Sequence, residues 1–153
     1  MRIRLPSPPA LARDERGTSL IEFGFLAPFL ALLTMGIIDL SRGLAERFTI
    51  QQAVNRSLEL VQARPAVADA DDNEVDYSYV RTEAATAAGV DEDQVTLTHW
   101  LECDGVEQQE YTGTCASGED TARYLRVRIV KDFEGEFYFD TIPMAASGAL
   151  RIQ

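Results

Sequence analysis

One apolar segment near the N-terminus constrains this chain more than any other feature of its sequence. Residues 20–40 carry only two charged side chains, Glu22 and Asp39. As a helix this segment extends about 31 Å, which is enough to cross the hydrocarbon core of a bilayer. No small-residue cleavage site follows it, so a removed secretory signal is the less favoured interpretation. The sequence therefore predicts one membrane-spanning helix at the start of the chain.

A short basic leader precedes the apolar segment. Residues 1–17 contain four arginines, two acidic residues and three prolines, and they end in Arg16-Gly17. A basic N-terminal flank favours a cytoplasmic leader and an exported C-terminal domain, although arginines at positions 42, 47 and 56 weaken that bias. A peptidase at the cytoplasmic face of the membrane can reach an extended segment of this kind. We therefore predict cleavage after Gly17.

Glu22 lies where a carboxylate is costly. A charge inside a membrane helix costs roughly 2.5–3.5 kcal/mol on insertion scales, and such residues tend to mark function. Cleavage after Gly17 creates a cationic α-amine on Thr18, and Glu22 follows Thr18 by one helical turn on the same face. We predict that Glu22 neutralises the N-terminus of its own chain or that of a neighbouring subunit. The alternative is an ordinary signal anchor, in which Glu22 extends toward the lipid headgroups.

Two further residues shape the predicted helix. Pro28 lies within it, removes one backbone hydrogen bond and is expected to bend the first turns. Asp39 lies at the outer boundary, one turn before Arg42. We interpret Asp39 as an interfacial cap or an ion-pair residue.

These residues form a pattern that resembles a known family. The stretch ERGTSLIEFGFLAPFLALLTMGIIDLSR, followed by QQAVNRSLELVQAR, resembles the TadE-like pseudopilins, which are minor components of the tight-adherence (Tad or Flp) subclass of type IV pili. The family pattern is a glycine, then a glutamate five positions later with an aromatic residue, an early proline, and a glycine and an acidic residue that end the apolar run. In this chain the pattern is formed by Gly17, Glu22, Phe23, Pro28, Gly36 and Asp39.

The resemblance has consequences for processing and partners. It implies a type IV pilin-like N-terminal helix and cleavage after Gly17 by a prepilin peptidase, with methylation of the new N-terminus left open. It implies that Glu22, followed by Phe23, helps to register subunits during assembly. The implied partners are the prepilin peptidase, other pilins and pseudopilins, and the assembly platform of the bacterial inner membrane. Phe23, where major pilins of this subclass often carry tyrosine, and the larger exported domain favour a minor pseudopilin over the bulk subunit.

The chain divides into a leader at 1–17, a long helix at 18–64 and an exported domain at 65–153. Two apolar stripes lie on the second half of the helix, which Pro65 is expected to end. We expect apolar residues here to pack on the domain, and a contact with neighbouring subunits is the alternative. The stripes are Leu40, Leu44 and Phe48, and Ile50, Val54, Leu58 and Val61.

The fold class predicted for the exported domain is α+β. One further helix is expected at 75–88, because Gly89 supplies a C-terminal cap. Alternating apolar residues predict three strands, and because no crossover helix separates them they form an antiparallel meander. These strands are expected near 95–101, 124–133 and 145–152. An aromatic cluster at Phe133 and 137–139 is expected to close the core, and a partner surface is the alternative.

The residues that bear on cofactors are few. Cys103 and Cys115 are the two cysteines of the chain, and in an oxidising compartment they predict one disulfide. The single histidine, His99, is interpreted as an inward-facing strand residue, so a histidine-based metal site is not expected. The acidic stretch 69–74 lacks the glycine of a calcium loop and is interpreted as a solvated linker. No cofactor is expected.

Composition and motifs narrow the function further. A net charge of −11 argues against a nucleic-acid-binding protein, which needs a basic face. The sequence offers no nucleophile–base pair and no phosphate loop, so we do not expect an enzyme. The favoured function is that of a processed minor pseudopilin. The alternatives are an unprocessed, signal-anchored periplasmic scaffold or binding module of a secretion or pilus complex and, less favoured, an anchored periplasmic enzyme.

Overall fold

The computed structural model describes residues 18–64 and 75–152. The predicted cleavage at Gly17 and the acidic stretch 69–74 therefore lie outside the described residues, apart from Thr18 at the start of the first helix. In chain order the elements are α1 (Thr18–Ala63), α2 (Ser78–Ala88), a short 3-10 helix (Glu92–Gln94), β1 (Val95–Cys103), β2 (Val106–Glu107), β3 (Thr121–Phe133) and β4 (Ile142–Arg151).

The domain contains one antiparallel sheet with the strand order β2-β1-β3-β4. The predicted meander corresponds to β1, β3 and β4, so the expected number of three strands is wrong by one. The extra strand arises because Asp104 and Gly105 both adopt positive φ, of 48° and 79°, and turn the chain back on β1. Positive φ at both central residues is typical of the two-residue turns of β-hairpins. The Asp-Gly pair was the available signal, since two residues are too few for an alternating pattern.

The second half of α1 packs on the sheet through the later apolar stripe. Ile50, Val54 and Val61 are buried, together with Val127 and Ile129 of β3, in the core of the domain. The helix continues to Ala63, as predicted. Its contact with the sheet is close, because a Cβ atom added to Gly148 of β4 would lie 2.9 Å from side-chain carbons of both Val54 and Leu58.

This close approach leads to a first testable prediction. Replacing Gly148 by valine is expected to lower the free energy of unfolding by about 1–3 kcal/mol, because the added methyl groups overpack the α1–sheet contact. Urea unfolding of the full chain in detergent micelles, followed by the fluorescence of the single tryptophan Trp100, measures the change. Ala149→Val on the exposed face of the same strand is the matched control, with an expected change within about 0.5 kcal/mol. Equal midpoints for the two variants would contradict the prediction.

The earlier apolar stripe of α1 is exposed. Leu40, Leu44 and Phe48 each expose about half of their side chains or more to the surroundings. Successive residues of an α-helix are about 100° apart, so Phe48 and Ile50 point to opposite sides of α1. The expectation that apolar residues here pack on the domain is confirmed for the later stripe only. Helix α1 therefore has one apolar face covered by its own sheet and another that residues 18–64 and 75–152 leave uncovered.

Helix α2 begins three residues later than predicted and ends as predicted. The carboxylate of Asp76 accepts hydrogen bonds from the backbone N–H and the hydroxyl of Ser78, at 2.7 and 3.0 Å. These bonds, the backbone one first, lower the pKa of Asp76. At the other end Gly89 adopts a φ of 63°, and its N–H donates to the carbonyl of Thr86. Asp76 thus holds the first turn of α2.

Candidate functional site

The first half of α1 extends beyond the domain. From Leu20 onward it is long and apolar enough to cross a membrane, and no part of its apolar window is buried by the rest of the described chain. The helix continues through Pro28 without ending. The bend expected at Pro28 remains a prediction. This exposure fits a single membrane-spanning helix near the N-terminus.

Glu22 and Phe23 lie on this uncovered segment. Both side chains are exposed, and Glu22 has no ion-pair partner among residues 18–64 and 75–152. Helix α1 places Glu22 one turn after Thr18, as the spacing predicts. The carboxylate is thus free to pair with an N-terminal amine of this chain or of another one.

Asp39 joins the end of the apolar segment to the domain. Its side chain is fully buried, with 0% of its surface exposed. One carboxylate oxygen accepts the backbone N–H of Glu136 at 3.0 Å. The other accepts the N–H groups of Phe137 and Tyr138 at 3.0 and 2.7 Å, and that of Phe139 at 3.5 Å. These donors belong to the loop between β3 and β4, and successive N–H groups of this kind form a concave anion-binding site.

The loop around Asp39 is held closed by a second contact. A Cβ atom added to Gly135 would lie 2.3 Å from the carbonyl oxygen of Phe139, so only glycine allows the two ends of the loop to approach so closely. Arg42 pairs with Glu136 of the same loop. The interpretation of Asp39 as an ion-pair residue is therefore wrong for the described part of the chain, because its carboxylate binds backbone N–H groups and Arg42 pairs with Glu136. Its partners lie almost a hundred positions further along the chain, where helical spacing cannot reveal them.

The next turn of α1 continues this attachment. A Cβ atom added to Gly43 would lie 3.5 Å from the ring of Phe133 and 3.6 Å from the side chain of Met144, so the helix backbone approaches both side chains closely. The ammonium group of Lys131 lies 2.5 Å from a carboxylate oxygen of Glu46. The same ammonium group donates to the carbonyl of Ala88 at 3.0 Å, so it also ties the end of α2 to the sheet. Residues 39–46 of α1 are thus attached to the sheet end nearest the apolar segment.

The aromatic residues beside this attachment divide into two groups. Phe133 is 8% exposed and helps to close the core, as predicted. Phe137, Tyr138 and Phe139 are 49%, 54% and 42% exposed, so the prediction of core closure is wrong for these three. Their backbone N–H groups face Asp39, which leaves their side chains on the outside of the loop. We call the segment 137–139 the aromatic loop.

The opposite end of the sheet carries the disulfide and a ring cluster. Cys103 and Cys115 are bonded, as predicted, with their Cα atoms 5.5 Å apart. His99 is exposed, contrary to its expected inward position, although its ring contacts those of Tyr77 and Tyr111 at centroid distances of 5.8 and 4.7 Å. The two tyrosine hydroxyls lie 2.8 Å apart. Burial, and secondly the bond to Tyr111, raises the pKa of Tyr77 above its ordinary value.

These features define a class of protein: a small α+β domain attached to a long N-terminal helix with an uncovered apolar face. The family model of TadE-like proteins matches residues 17–57, which covers the apolar segment and most of the second half of α1. This match confirms the resemblance found in the sequence and associates the chain in general terms with the tight-adherence pilus and the membrane. Searches of curated proteins and of solved structures gave no match.

Proposed function

We propose that this chain is a minor pseudopilin of a tight-adherence type IV pilus, acting in assembly, priming or tip formation. One observation carries the proposal: the uncovered apolar face of α1 runs from Leu20 to Phe48, past the point where the domain is attached. A helix of that length extends about 42 Å, whereas a bilayer core is about 30 Å thick. Lipid tails cover only part of this face, and helices of other pilins and pseudopilins would cover the remainder.

The proposal places α1 in the bacterial inner membrane, with the leader in the cytoplasm and the domain in the periplasm. The Cys103–Cys115 disulfide supports an oxidising location for the domain. A prepilin peptidase would cut after Gly17, and the assembly platform would transfer the mature chain into a pilus. Glu22, which has no ion-pair partner among the described residues, would then pair with the N-terminal amine of Thr18 in its own or a neighbouring chain. In this role the chain is a substrate of an enzyme and a structural subunit, with no catalysis of its own.

Processing tests the proposal directly. Mass spectrometry of the membrane-extracted protein is expected to find a mature chain that begins at Thr18 when an active prepilin peptidase is present. The same cells with an inactive peptidase should retain the chain from Met1. An intact Met1 in the presence of active peptidase would contradict the proposal. That result would favour the alternative of an unprocessed, signal-anchored scaffold or binding module.

A second experiment separates processing from assembly. Glu22→Ala is expected to be cleaved normally but to reduce the number of pili at least about tenfold, because the new amine loses its partner in an apolar environment. Glu59→Ala removes an exposed carboxylate from the same helix and is the matched control, with pili expected in normal numbers. Counting pili by electron microscopy measures the effect. Normal piliation in the Glu22 variant would exclude the assigned role.

A further inference from the structure

We propose that the aromatic loop lies in the interfacial layer of the outer leaflet and forms a second membrane contact beside α1. The partner is a phospholipid bilayer. The inference rests on the membrane insertion of α1 in the proposed function, and not on cleavage or pilus assembly. It assigns a role to three exposed aromatic side chains that neither the core of the domain nor the uncovered face of α1 explains.

The position of the loop relative to α1 supports this assignment. The contacts of α1 with the sheet follow the order of residues along the helix. Val54 and Leu58 lie beside Gly148, whereas Gly43, which is closer to the apolar segment, lies beside Phe133. The backbone of the aromatic loop is bound to Asp39, which is the charged residue at the outer end of the segment 20–40. The aromatic loop is therefore the part of the domain attached closest to the apolar segment, at the depth where headgroups meet water.

The chemistry of the loop also fits this depth. Tyrosine and tryptophan are enriched at membrane–water interfaces because one side of the ring is apolar and the other end is polar. The aromatic loop presents one tyrosine between two phenylalanines, all about half exposed. The apolar side chain of Ile142 is exposed at the start of β4, directly after the loop. This patch is continuous along the chain with the attachment to the apolar helix, so the bilayer that holds α1 is within its reach.

The charges near the loop indicate how it binds. Glu134, Glu136 and Asp140 flank the aromatic residues along the chain, Arg42 pairs with Glu136, and Arg47 lines one pocket with Ile142, so acidic groups outnumber basic ones. Acidic residues near the loop are repelled by anionic headgroups. The contact between the loop and the bilayer therefore depends on burial of the aromatic rings and not on charge attraction. We expect the aromatic loop to enter zwitterionic bilayers at least as deeply as anionic ones, and salt should have little effect on its insertion into the zwitterionic bilayers.

A single native tryptophan makes the depth of the loop measurable. In a Trp100→Phe background, Phe137→Trp and Tyr138→Trp each place one fluorophore in the aromatic loop. The full chain is reconstituted into phosphatidylcholine vesicles with lipids brominated at defined acyl positions. We expect the loop tryptophans to be quenched about threefold more strongly than Trp100 in the unmodified chain, and most strongly by shallow bromines. Trp100 pairs with Tyr124, nine residues from Phe133 along β3, so it lies about 30 Å from the loop.

The outcomes separate this proposal from the function on which it rests. Flotation with vesicles reports the insertion of α1, so a chain that floats but shows equal quenching at the loop and at Trp100 overturns the loop contact alone. Blue-shifted emission without lipid quenching, appearing only at high protein-to-lipid ratio, would identify a second copy of the chain as the partner and would also overturn it. Urea unfolding of each variant establishes that the domain is folded, and the use of two positions guards against a misfolded variant.

Discussion

Replacing Asp39 by alanine is expected to lower the urea midpoint of the domain by about 1–2 M. The substitution removes the acceptor of up to four backbone N–H groups that face a fully buried carboxylate. A buried N–H group left without an acceptor costs about 1–3 kcal/mol, and urea slopes of small domains are about 1–3 kcal/mol per M. Trp100 stacks on Tyr124 in the sheet, so its fluorescence reports the unfolding of the domain.

Two variants establish why stability is lost. Asp39→Asn keeps the shape of the side chain, but one oxygen becomes an NH2 group that faces N–H donors. If the hydrogen bonds are responsible, Asp39→Asn loses the bond from Glu136 but keeps an oxygen for the other N–H groups, so its midpoint lies clearly below that of the unmodified chain and above that of Asp39→Ala. If a cavity is responsible, Asp39→Asn is close to the unmodified chain. Glu59→Ala, which removes an exposed acid from α1, is the control and should shift the midpoint by less than about 0.3 M. An unchanged midpoint for Asp39→Ala would show that the loop does not depend on the carboxylate.

The same attachment can be broken from the other side. Gly135→Ala forces the loop backbone away from Phe139, because the new Cβ atom would overlap the carbonyl of that residue. Since the displaced loop no longer places its N–H groups on Asp39, the two substitutions act on one interaction. The double variant Asp39→Ala with Gly135→Ala is therefore expected to lose less stability than the sum of the single losses. Strict additivity would mean that the loop and Asp39 stabilise the domain independently.

Removing the disulfide is expected to cost about 3 kcal/mol of unfolding free energy. The bond between Cys103 and Cys115 spans a sequence separation of 12 residues, and closing a loop of that size restricts the unfolded chain by about this amount. The double substitution to alanine is compared with the unmodified chain by urea unfolding. The unmodified chain under reducing conditions should approach the double variant, whereas the double variant should not respond to reductant. If the unmodified chain were equally stable with and without reductant, the prediction would be contradicted.

The disulfide and the Asp39 attachment stabilise opposite ends of the sheet. Cys103 ends β1 and pairs with Thr121 at the start of β3, whereas Asp39 binds the loop that follows Phe133 at the end of β3. Because they share no partner, their effects on stability should add within about 0.5 kcal/mol. The end of the sheet attached to Asp39 therefore relies on a carboxylate bound by backbone N–H groups, and the opposite end relies on a covalent bond.

Local signals in the sequence predicted most of the elements of this fold. The apolar run and Pro65 correctly predicted where α1 begins and ends, and Gly89 correctly predicted where α2 ends. Both predictions succeed because helix length and capping depend on residues that are neighbours in the sequence. Alternation located β1, β3 and β4 with their ends shifted by a few residues. The short strand β2 was missed, although the Asp-Gly pair before it is a turn signal that depends on two adjacent residues.

The candidate sites were predictable to different degrees. The position of Glu22 one turn after Thr18 follows from helical spacing, so it can be predicted from the sequence alone. The binding of Asp39 to the loop does not follow, since sequence separations of 97 to 100 residues join the carboxylate to its donors. The outward position of the aromatic loop depends on the same bonds. Hydrophobic side chains alone suggest a core, and only the direction of the backbone N–H groups shows that these rings are left outside.

The sequence by itself determined that this chain has one long apolar helix, a basic N-terminal segment before it, an α+β domain after it and one disulfide. These properties depend on residues close together in the chain, or on pairing the two cysteines. The tertiary structure decided which face of α1 the domain covers, which face the described residues leave exposed, and where the aromatic loop lies. The physical reason is that a buried carboxylate must find donors wherever the fold brings them, and for Asp39 the fold brings them from the far end of the chain.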